Sequence, residues 1–411
     1  MAKKLSSVLG VDIGSQTIKV AEVKVLGGKP TITAIGMAQT PEGSVDHIGI
    51  HDPDGVSGVL KQLCASTGVT VGDVVVSVAG QGSVLVRTLE VPAMNDAELK
   101  QHMDWEITRN IPFAESTVVS DYKAFPPEPN NSQNMDVVMA ISPQSAIDSI
   151  VGLVKKSGRK PAAIDVEPLG IARTLSTSYR EDYSGKSVCV VDIGHKTTAI
   201  NVYKDGKLMM PRQVPIGGEM MTRSIADNLN VSFEEAQRLK ETVAEVPAAA
   251  ASGSGAFNPF DTGGTGAATQ SFTPYNPFAD PDEALASPAA EADPVPVPAE
   301  EPQAAPATTS GDANRVYNAM APILEEFVAE VRRSVDYYRS KGGDVDVLML
   351  CGGGAHLKGL SEFLQTAIGL PCQEMDPLRG VSMAAKKLDN FRDEDRQEFA
   401  VALGNGLHIC F

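Results

Sequence analysis

A four-residue motif that recurs at a spacing of 180 residues constrains the fold of this chain more than any other feature. Val11-Asp12-Ile13-Gly14 lies near the N-terminus, Val191-Asp192-Ile193-Gly194 lies in the second half, and Thr17 and Thr197 stand three residues beyond the two glycines. Each copy follows an apolar run and precedes an alternating segment, which predicts a buried strand, a tight turn and a half-buried strand. The repeat indicates two halves that begin with the same hairpin.

Anion binding explains the residue types of the repeated motif. Glycine at a bend lets successive backbone N–H groups point into one concavity that suits phosphate oxygens. An unpaired carboxylate is costly in a core, so Asp12 and Asp192 are better explained as facing a cleft where they hold hydrated Mg²⁺. One Asp-x-Gly is usually a structural turn, whereas two copies at half-chain spacing favour a shared phosphate and metal site.

A third glycine cluster follows an apolar run at residues 345–350. Gly352-Gly353-Gly354 comes directly after Cys351, and Leu357 and Leu360 begin a predicted helix. Three glycines alone are most often a flexible turn. After two Asp-Ile-Gly hairpins we favour a nucleotide site, because a backbone without side chains and a helix N-terminus allow close approach of a phosphate ligand.

Residues 245–312 differ in composition from the rest of the chain. They hold ten of the 52 acidic residues, 11 of the 27 prolines and no Lys or Arg, so we predict a disordered acidic Pro/Ala-rich insertion. The rest of the chain then carries a net charge of -7 instead of -17. The acidic total argues against a nucleic-acid partner. Two aromatic-Asn-Pro-Phe segments, 257–260 and 275–278, are either local turns or docking motifs, and the sequence leaves both open.

The cysteines and the apolar runs bear on the cellular compartment. The five cysteines are scattered without a C-x-x-C pair, which disfavours a zinc ribbon or a disulfide framework and fits a reducing compartment. We find neither a signal-peptide core nor an apolar run of ~18 residues. The sequence therefore predicts a cytoplasmic protein without a transmembrane segment.

The three glycine elements resemble, in order and spacing, the phosphate-1, phosphate-2 and adenosine motifs of actin-like ATPases, and the chain most closely resembles the PilM family of type IV pilus assembly. The resemblance covers nearly the whole chain outside the insertion and includes residues 78–81, 87–92, 105–113, 165–168, 233–240, 335–339 and 401–406. It implies an α/β, two-lobed actin-like ATPase fold with an FtsA/PilM-type extra subdomain. The implied boundaries are lobe I at 1–178 with the subdomain at about 40–115, and lobe II at 179–411 with the insertion at about 245–312.

The resemblance implies ATP and Mg²⁺ as cofactors. Asp12 and Asp192 are expected to hold the metal, and Glu167 to position the attacking water. The expected nucleotide contacts are Gly14, Ser15, Gln16, Thr17, Lys19, Gly194, His195, Gly217, Gly218, Gln237, Lys240, Gly352, Gly353, Gly354 and Ala355.

Two of these residues depart from the family pattern. Gln237 stands where many relatives carry an acidic residue on the ribose, so that hydrogen bond is expected to differ. His195 replaces a small or polar residue and is explained equally well as a surface turn or as a phosphate contact.

The resemblance also implies a partner, the N-terminal cytoplasmic peptide of a PilN-like inner-membrane protein. Trp105 and Ile111-Pro112-Phe113 either line its groove or belong to the core of the extra subdomain, and we favour the core because aromatic side chains are usually buried. The protein is then expected to be recruited to the inner face of the cytoplasmic membrane.

Two other functions fit the same superfamily. A small-molecule kinase needs a further substrate pocket with a catalytic Asp, and no segment of the sequence supplies one convincingly. A filament-forming protein like FtsA needs a C-terminal amphipathic membrane helix, for which residues 407–411 are too short. Glu167 leaves slow ATP hydrolysis open.

Overall fold

A computed structural model describes residues 5–114, 117–127, 133–247 and 309–411. The first part of the chain forms β1 (Ser7–Ile13), β2 (Thr17–Leu26), β3 (Lys29–Gln39), α1 (Pro53–Thr67), β4 (Asp73–Val78), β5 (Leu85–Pro92), α2 (Asp96–Arg109), β6 (Val118–Ala124), β7 (Asn134–Pro143), α3 (Gln144–Lys156), β8 (Lys160–Val166) and α4 (Glu167–Ser178). The second part forms β9 (Ser187–Ile193), β10 (Thr198–Lys204), β11 (Lys207–Met210), β12 (Gln213–Val214), α5 (Gly218–Leu229), α6 (Phe233–Thr242), α7 (Thr309–Ser340), β13 (Val347–Cys351), α8 (Leu360–Ile368), β14 (Cys372–Glu374), β15 (Ser382–Met383) and α9 (Ala400–Gly406). Short 3₁₀ turns lie at Gly353–His356, Asp393–Phe399 and Leu407–Cys410.

Two large sheets carry the two repeated hairpins. The first has the strand order β15-β3-β2-β1-β4-β8, and the second has the order β11-β10-β9-β13-β14, with β12 beside β10. In each sheet the strand that ends in Asp-Ile-Gly is central and pairs antiparallel with the strand after the turn. Central strands are covered on both faces and therefore read as apolar runs, which explains why the sequence pattern was clear.

A third sheet stands apart from the first. It has three strands in the order β5-β7-β6, and α2 covers it with a small core of its own. The strands place this subdomain at residues 85–143, whereas the sequence led us to expect about 40–115. The difference arises because α1 and β4, within the expected range, belong to the first sheet: β4 pairs with both β1 and β8.

Helices α4 and α9 form a layer between the two large sheets. Buried residues of α9 pack against the first sheet and others pack, together with α4, against the second. The two helices cross very closely, since a Cβ on Gly404 would lie 1.9 Å from the Gly170 carbonyl oxygen. Only glycine fits at such a crossing.

The C-terminal part of the chain returns to the first sheet. β15 pairs parallel with β3, and α9 packs against β1. The lobes are therefore not the two consecutive segments, 1–178 and 179–411, that the sequence suggested. A two-residue strand and a short Ala/Gly-rich helix carry too weak a pattern to show this return in advance.

The expected insertion at about 245–312 falls mostly outside the described residues, and both of its Asn-Pro-Phe segments do too. At its edges the described chain is ordered: Glu245 pairs with Lys358, Val246 is buried, and α7 begins at Thr309. In the described part of the chain, no helix is both long enough and apolar enough to cross a membrane.

Candidate functional site

The first hairpin places a carboxylate and a lysine side by side in a cleft. Its turn is closed by the Gly14 N–H, which donates to the Thr17 carbonyl at 3.0 Å. This pairing sets Asp12 opposite Lys19, and the Lys19 Nζ lies 3.4 Å from Asp12 Oδ2. Gly14, Ser15, Gln16, Thr17 and Lys19 all line the cleft.

The second hairpin faces the first across this cleft. Its turn has the same hydrogen bond, from the Gly194 N–H to the Thr197 carbonyl at 2.9 Å, and Gly194, His195 and Asp192 line the opposite wall. Ala199 stands opposite Asp192, where the first hairpin has its lysine. The two hairpins thus share a backbone geometry but not a charge pattern.

The turn after β13 brings a third backbone segment to the cleft. Gly352 has a φ of +80°, and a Cβ there would lie 2.4 Å from Asp192 Oδ1 and 2.7 Å from the Ile193 carbonyl oxygen. Gly352 and Gly353 line the cleft. Of the other residues expected here, Gly354 packs against the Ile193 side chain and Ala355 is buried in the core of the second sheet.

Carboxylates outnumber cations in the heart of the cleft. Asp12, Glu167, Asp192 and Glu398 all interact with Lys19 or with each other. Burial, with the neighbouring Asp12, raises the pKa of Asp192 to about 6, although Lys19 and the Cys351 thiol oppose the rise. The surplus of negative charge is what a site for a divalent cation requires.

Glu167 begins α4 and points into the same cleft. Burial first, then Asp12 and Asp192, raises the pKa of its carboxyl to about 8. Without a bound cation, Glu167 therefore holds a proton at pH 7. A raised pKa at a cleft carboxyl is characteristic of a functional site.

A lysine-centred cluster lies beside the second hairpin. Lys240 Nζ donates to the Gly218 carbonyl at 2.9 Å, to Thr222 Oγ1 at 2.8 Å and to Gln237 Oε1 at 3.1 Å. The Gly218 N–H in turn donates to the Gly194 carbonyl at 3.0 Å, and a Cβ on Gly217 would lie 2.4 Å from the His195 carbonyl oxygen. This glycine pair holds α5 against the turn of the second hairpin, on the side of the cleft that carries Asp192.

The side chains of Lys240 and His195 are both partly buried, which lowers their pKa values. Burial lowers the pKa of Lys240 to about 8 and that of His195 to about 4, so the imidazole is neutral at pH 7. His195 Nδ1 is buried and has no hydrogen-bond partner among the described residues. His195 lines the cleft and leaves one nitrogen unsatisfied, which favours a ligand contact over a surface turn.

Sequence reasoning missed two groups at this site. Glu398, on the 3₁₀ turn before α9, reaches the cleft and lies 3.7 Å from Lys19 Nζ. Asn405 is fully buried and donates to the Val11 carbonyl and to Ser77 Oγ, both at 2.9 Å, which ties α9 to the end of β1 beside Asp12. The segment 401–406 had been singled out as a family pattern, but nothing local pointed to Glu398.

A second concave surface, the inter-sheet groove, lies between the first sheet and the three-stranded sheet. Consecutive residues 119–123 of β6 and 163–166 of β8 line it, together with Val138, Ala140, Ser142, Leu169, Ala172, Arg173 and Ser176. Both strands are outermost in their sheets. Because side chains alternate along a strand, consecutive lining residues mean that the strand edges themselves face the groove.

Trp105, Ile111 and Phe113, for which the sequence left a peptide groove and a core position open, lie outside the inter-sheet groove. Ile111 and Phe113 pack against the core of the three-stranded sheet, as the core interpretation predicted. Trp105 is 54% exposed on α2, with the Arg109 guanidinium 4.6 Å from its ring centre. Trp105 is therefore neither core nor part of the inter-sheet groove.

Comparison with known families shows to which family this chain belongs. The family described as type IV pilus assembly protein PilM matches residues 10–261, which is more than half of the chain. The chain belongs to the PilM family. The solved structure titled PilM-PilN type IV pilus biogenesis complex is similar over 100% of both chains, with a TM-score of 0.73 and 23% identity.

More distant likenesses agree on the fold. The ethanolamine utilization protein EutJ from Carboxydothermus hydrogenoformans has a TM-score of 0.50 and 14% identity, over 99% of this chain and 91% of that one. The FtsA family matches residues 189–404. These matches, with those to PilM, confirm the two-lobed actin-like α/β fold that the glycine motifs predicted.

The curated relatives are cell division proteins FtsA. That of Bacillus subtilis is 31% identical over 98 residues, 24% of this chain and 22% of its own length, and that of Neisseria meningitidis is 24% identical over 253 residues, 56% and 59%. The chain thus spans less than two thirds of either relative.

Proposed function

We propose that this PilM-family protein is an ATP-binding scaffold of type IV pilus or related assembly that binds the N-terminal peptide of a PilN-like inner-membrane protein. The observation that carries the nucleotide part is the cleft in which two Asp-Ile-Gly hairpins face each other across Lys19. The inter-sheet groove carries the partner part. The nucleotide, held by both lobes, would set the shape that the scaffold offers to its partner.

The residues of the cleft fit ATP and Mg²⁺. The amides of Gly14, Ser15 and Gln16 in one turn, and of Gly194 and His195 in the other, would hold the phosphates, with Thr17 and Lys19 beside them. Asp12 and Asp192 would hold Mg²⁺, because two carboxylates in a cleft with surplus negative charge suit a hard cation. The bare backbone at Gly352 and Gly353 leaves room for close approach of a ligand.

The outer part of the nucleotide would lie towards α5 and α6. We propose that this part is contacted by Gly217, Gly218, Gln237 and Lys240. Gly354 and Ala355 would support the site from the buried side. Gln237 is already engaged: its Oε1 accepts from Thr222 and Lys240, and its Nε2 donates to Glu241. Its role would therefore be to fix Lys240, with Glu241 as the acidic group that it contacts on this helix.

Hydrolysis depends on Glu167. At a pKa of about 8 the carboxyl is mostly protonated at pH 7 in the cation-free cleft and accepts a proton from water poorly there, so any turnover would be slow. A cation that binds Asp12 and Asp192 would lower this pKa by electrostatics. Slow or absent hydrolysis leaves the scaffold function unchanged.

An extended peptide would fit the inter-sheet groove. Strand edges offer unpaired backbone N–H and C=O groups, so a peptide can add a strand to β6 or β8 and place alternate side chains between the sheets. The apolar side chains of Val138, Ala140 and Ala172 suit an apolar peptide, and Arg173 with its partner Asp165 supplies a charged end. Binding there would recruit the protein to the inner face of the cytoplasmic membrane.

Peptide binding tests this assignment. We expect a fluorescent peptide with the N-terminal sequence of the PilN-like protein of the same organism to bind the full chain, and Val119→Arg, whose side chain shares the groove face with Ser142, to weaken binding at least about tenfold by filling the groove. Trp105→Ala is the matched control and is expected to bind normally. Loss of binding in Trp105→Ala, with Val119→Arg unaffected, would move the site to α2 and overturn the groove assignment.

The FtsA match over residues 189–404 favours a second function, that of a filament-forming division protein. Sedimentation of the purified chain with ATP and Mg²⁺ separates the two: the scaffold proposal expects the protein to stay in the supernatant at micromolar concentration.

A further inference from the structure

Glu398 is a charged residue of the cleft to which neither the family pattern nor the sequence assigns a role. It lies on the 3₁₀ turn Asp393–Phe399, directly before α9, and this turn touches both lobes. On one side the turn packs against β2, and on the other the Gln397 carbonyl accepts from the Gly352 N–H at 3.0 Å. The turn that carries Glu398 is therefore anchored where the first hairpin meets the glycine turn of the second sheet.

The two oxygens of Glu398 have partners in different lobes. Oε2 lies 3.7 Å from Lys19 Nζ and accepts from Thr17 Oγ1 at 3.4 Å, both on β2. Oε1 lies 3.6 Å from His356 Nε2, on the turn after β13. The Lys19 and Glu398 side chains are only 11% and 13% exposed, so water screens their attraction poorly.

Lys19 in this state is shared between two internal anions. Asp12 Oδ2 is 3.4 Å from Nζ, and Glu398 lies a few tenths of an ångström farther away. Asp12 cannot leave, because it stands opposite Lys19 in the hairpin register. Glu398 can move, since it lies on a short turn and keeps His356 as a partner when it leaves Lys19.

We infer that Glu398 is an internal competitor of the nucleotide phosphate: it occupies Lys19 in the nucleotide-free cleft and is displaced when phosphate binds. The inference rests on the proposed nucleotide cleft. A carboxylate beside a phosphate raises the free energy of the bound state, and breaking its ion pair with Lys19 adds to the cost of binding. Glu398 thereby limits nucleotide affinity, and His356 eases its displacement.

Substitution of Glu398 is expected to strengthen nucleotide binding, although substitution of a cleft residue usually weakens it. Glu398→Gln keeps the shape and the acceptor for Thr17 but removes the charge, so we expect ATP·Mg²⁺ to bind about fivefold more tightly than to wild type. The gain is expected to fall from ATP to ADP to AMP and to vanish for adenosine, because only the phosphates meet the charge. Glu394→Gln, on the same turn but 69% exposed and paired with Arg392, is the matched control and should leave all four affinities unchanged.

His356→Ala provides an independent variant that leaves no side-chain donor at this position. With its alternative partner removed, Glu398 should hold Lys19 more firmly, and ATP·Mg²⁺ should bind about twofold to threefold more weakly. In the double variant with Glu398→Gln this loss should disappear, since His356 acts through Glu398. Melting curves of each variant check that the fold is retained.

The outcomes distinguish this inference from the function on which it rests. If wild type binds no nucleotide, both fail. If wild type binds ATP·Mg²⁺ and Glu398→Gln binds it equally or more weakly, or gains equally for adenosine, only the competitor role is overturned. If Glu398→Gln does not fold, an undiminished affinity in His356→Ala overturns it instead.

Discussion

Two hairpins, that of β1 and β2 and that of β9 and β10, have the same turn but differ in whether a cation stands opposite the aspartate. In the first, Asp12 stands opposite Lys19, and in the second, Asp192 stands opposite Ala199. Lys19 is held by Asp12 and Glu398, whereas Asp192 is left with a pKa of about 6. Both hairpins thus have the same turn geometry, but a lysine stands opposite the aspartate in the first hairpin alone. The second hairpin therefore depends on a positive charge from another part of the cleft.

Removing that lysine should have the largest effect. Lys19→Ala leaves four carboxylates without a central cation, and we expect the Kd for ATP·Mg²⁺ to rise about hundredfold in equilibrium titrations. Lys29→Ala, at the exposed start of β3, is the control. A rise in Kd of less than about threefold would show that Lys19 does not give the first hairpin a larger part in nucleotide binding than the second.

The glycine turn beside Asp192 gives the next largest effect. Gly352→Ala combines a left-handed φ with contacts shorter than 3 Å to Asp192 and Ile193, so we expect about 2 kcal/mol of destabilisation. Gly353→Ala, whose Cβ would lie no nearer than 3.6 Å to the Glu398 carboxylate, should stay within about 0.5 kcal/mol. Equal melting temperatures for the two variants would contradict the tight packing of the second hairpin against this turn.

The uncompensated charge of Asp192 predicts a pH-dependent stability. Because its pKa in the folded protein, about 6, is above the unfolded value, the folded state gains from protonation below about pH 4 and loses this gain as pH rises through 6. Asp192→Asn should therefore stabilise the nucleotide-free protein by about 1 to 2 kcal/mol at pH 8 and have little effect at pH 4. Asp227→Asn, on the exposed side of α5, serves as control, and a destabilised Asp192→Asn at pH 8 would contradict the charge assignment.

Giving the second hairpin its own lysine should have the smallest effect. Ala199→Lys places an ammonium opposite Asp192 in the register that Lys19 has with Asp12, so the pKa of Asp192 should fall and stability should vary less between pH 4 and 6. Ala199→Met adds similar length without charge and should leave the pH dependence unchanged. If both substitutions act alike, size and not charge distinguishes the hairpins.

The features that the sequence predicted correctly are those that depend on residues close together in the chain. Both hairpins and the turn at Gly352 were evident because a buried strand, a glycine bend and an acidic side chain lie within a few consecutive residues. Glu167 was expected from the family resemblance of its Glu-Pro, which in the structure begins α4.

What the sequence did not show depends on pairing between distant segments. The return of β15 and α9 to the first sheet, the true extent of the three-stranded sheet and the arrival of Glu398 beside Lys19 are all set by tertiary contacts. Glu398 follows a run of charged residues, 392–396, that reads as solvated surface. Trp105 was misleading for the opposite reason, since a lone aromatic suggests burial but here is exposed.

Equilibrium binding of labelled ATP with Mg²⁺ tests the central claim, that the two hairpins form one nucleotide site. The account predicts saturable binding to wild type and a loss of at least about hundredfold in affinity for both Asp12→Ala and Asp192→Ala, with melting curves confirming that both variants fold. Failure of wild type to bind ATP at any Mg²⁺ concentration, or undiminished binding in both folded variants, would contradict it.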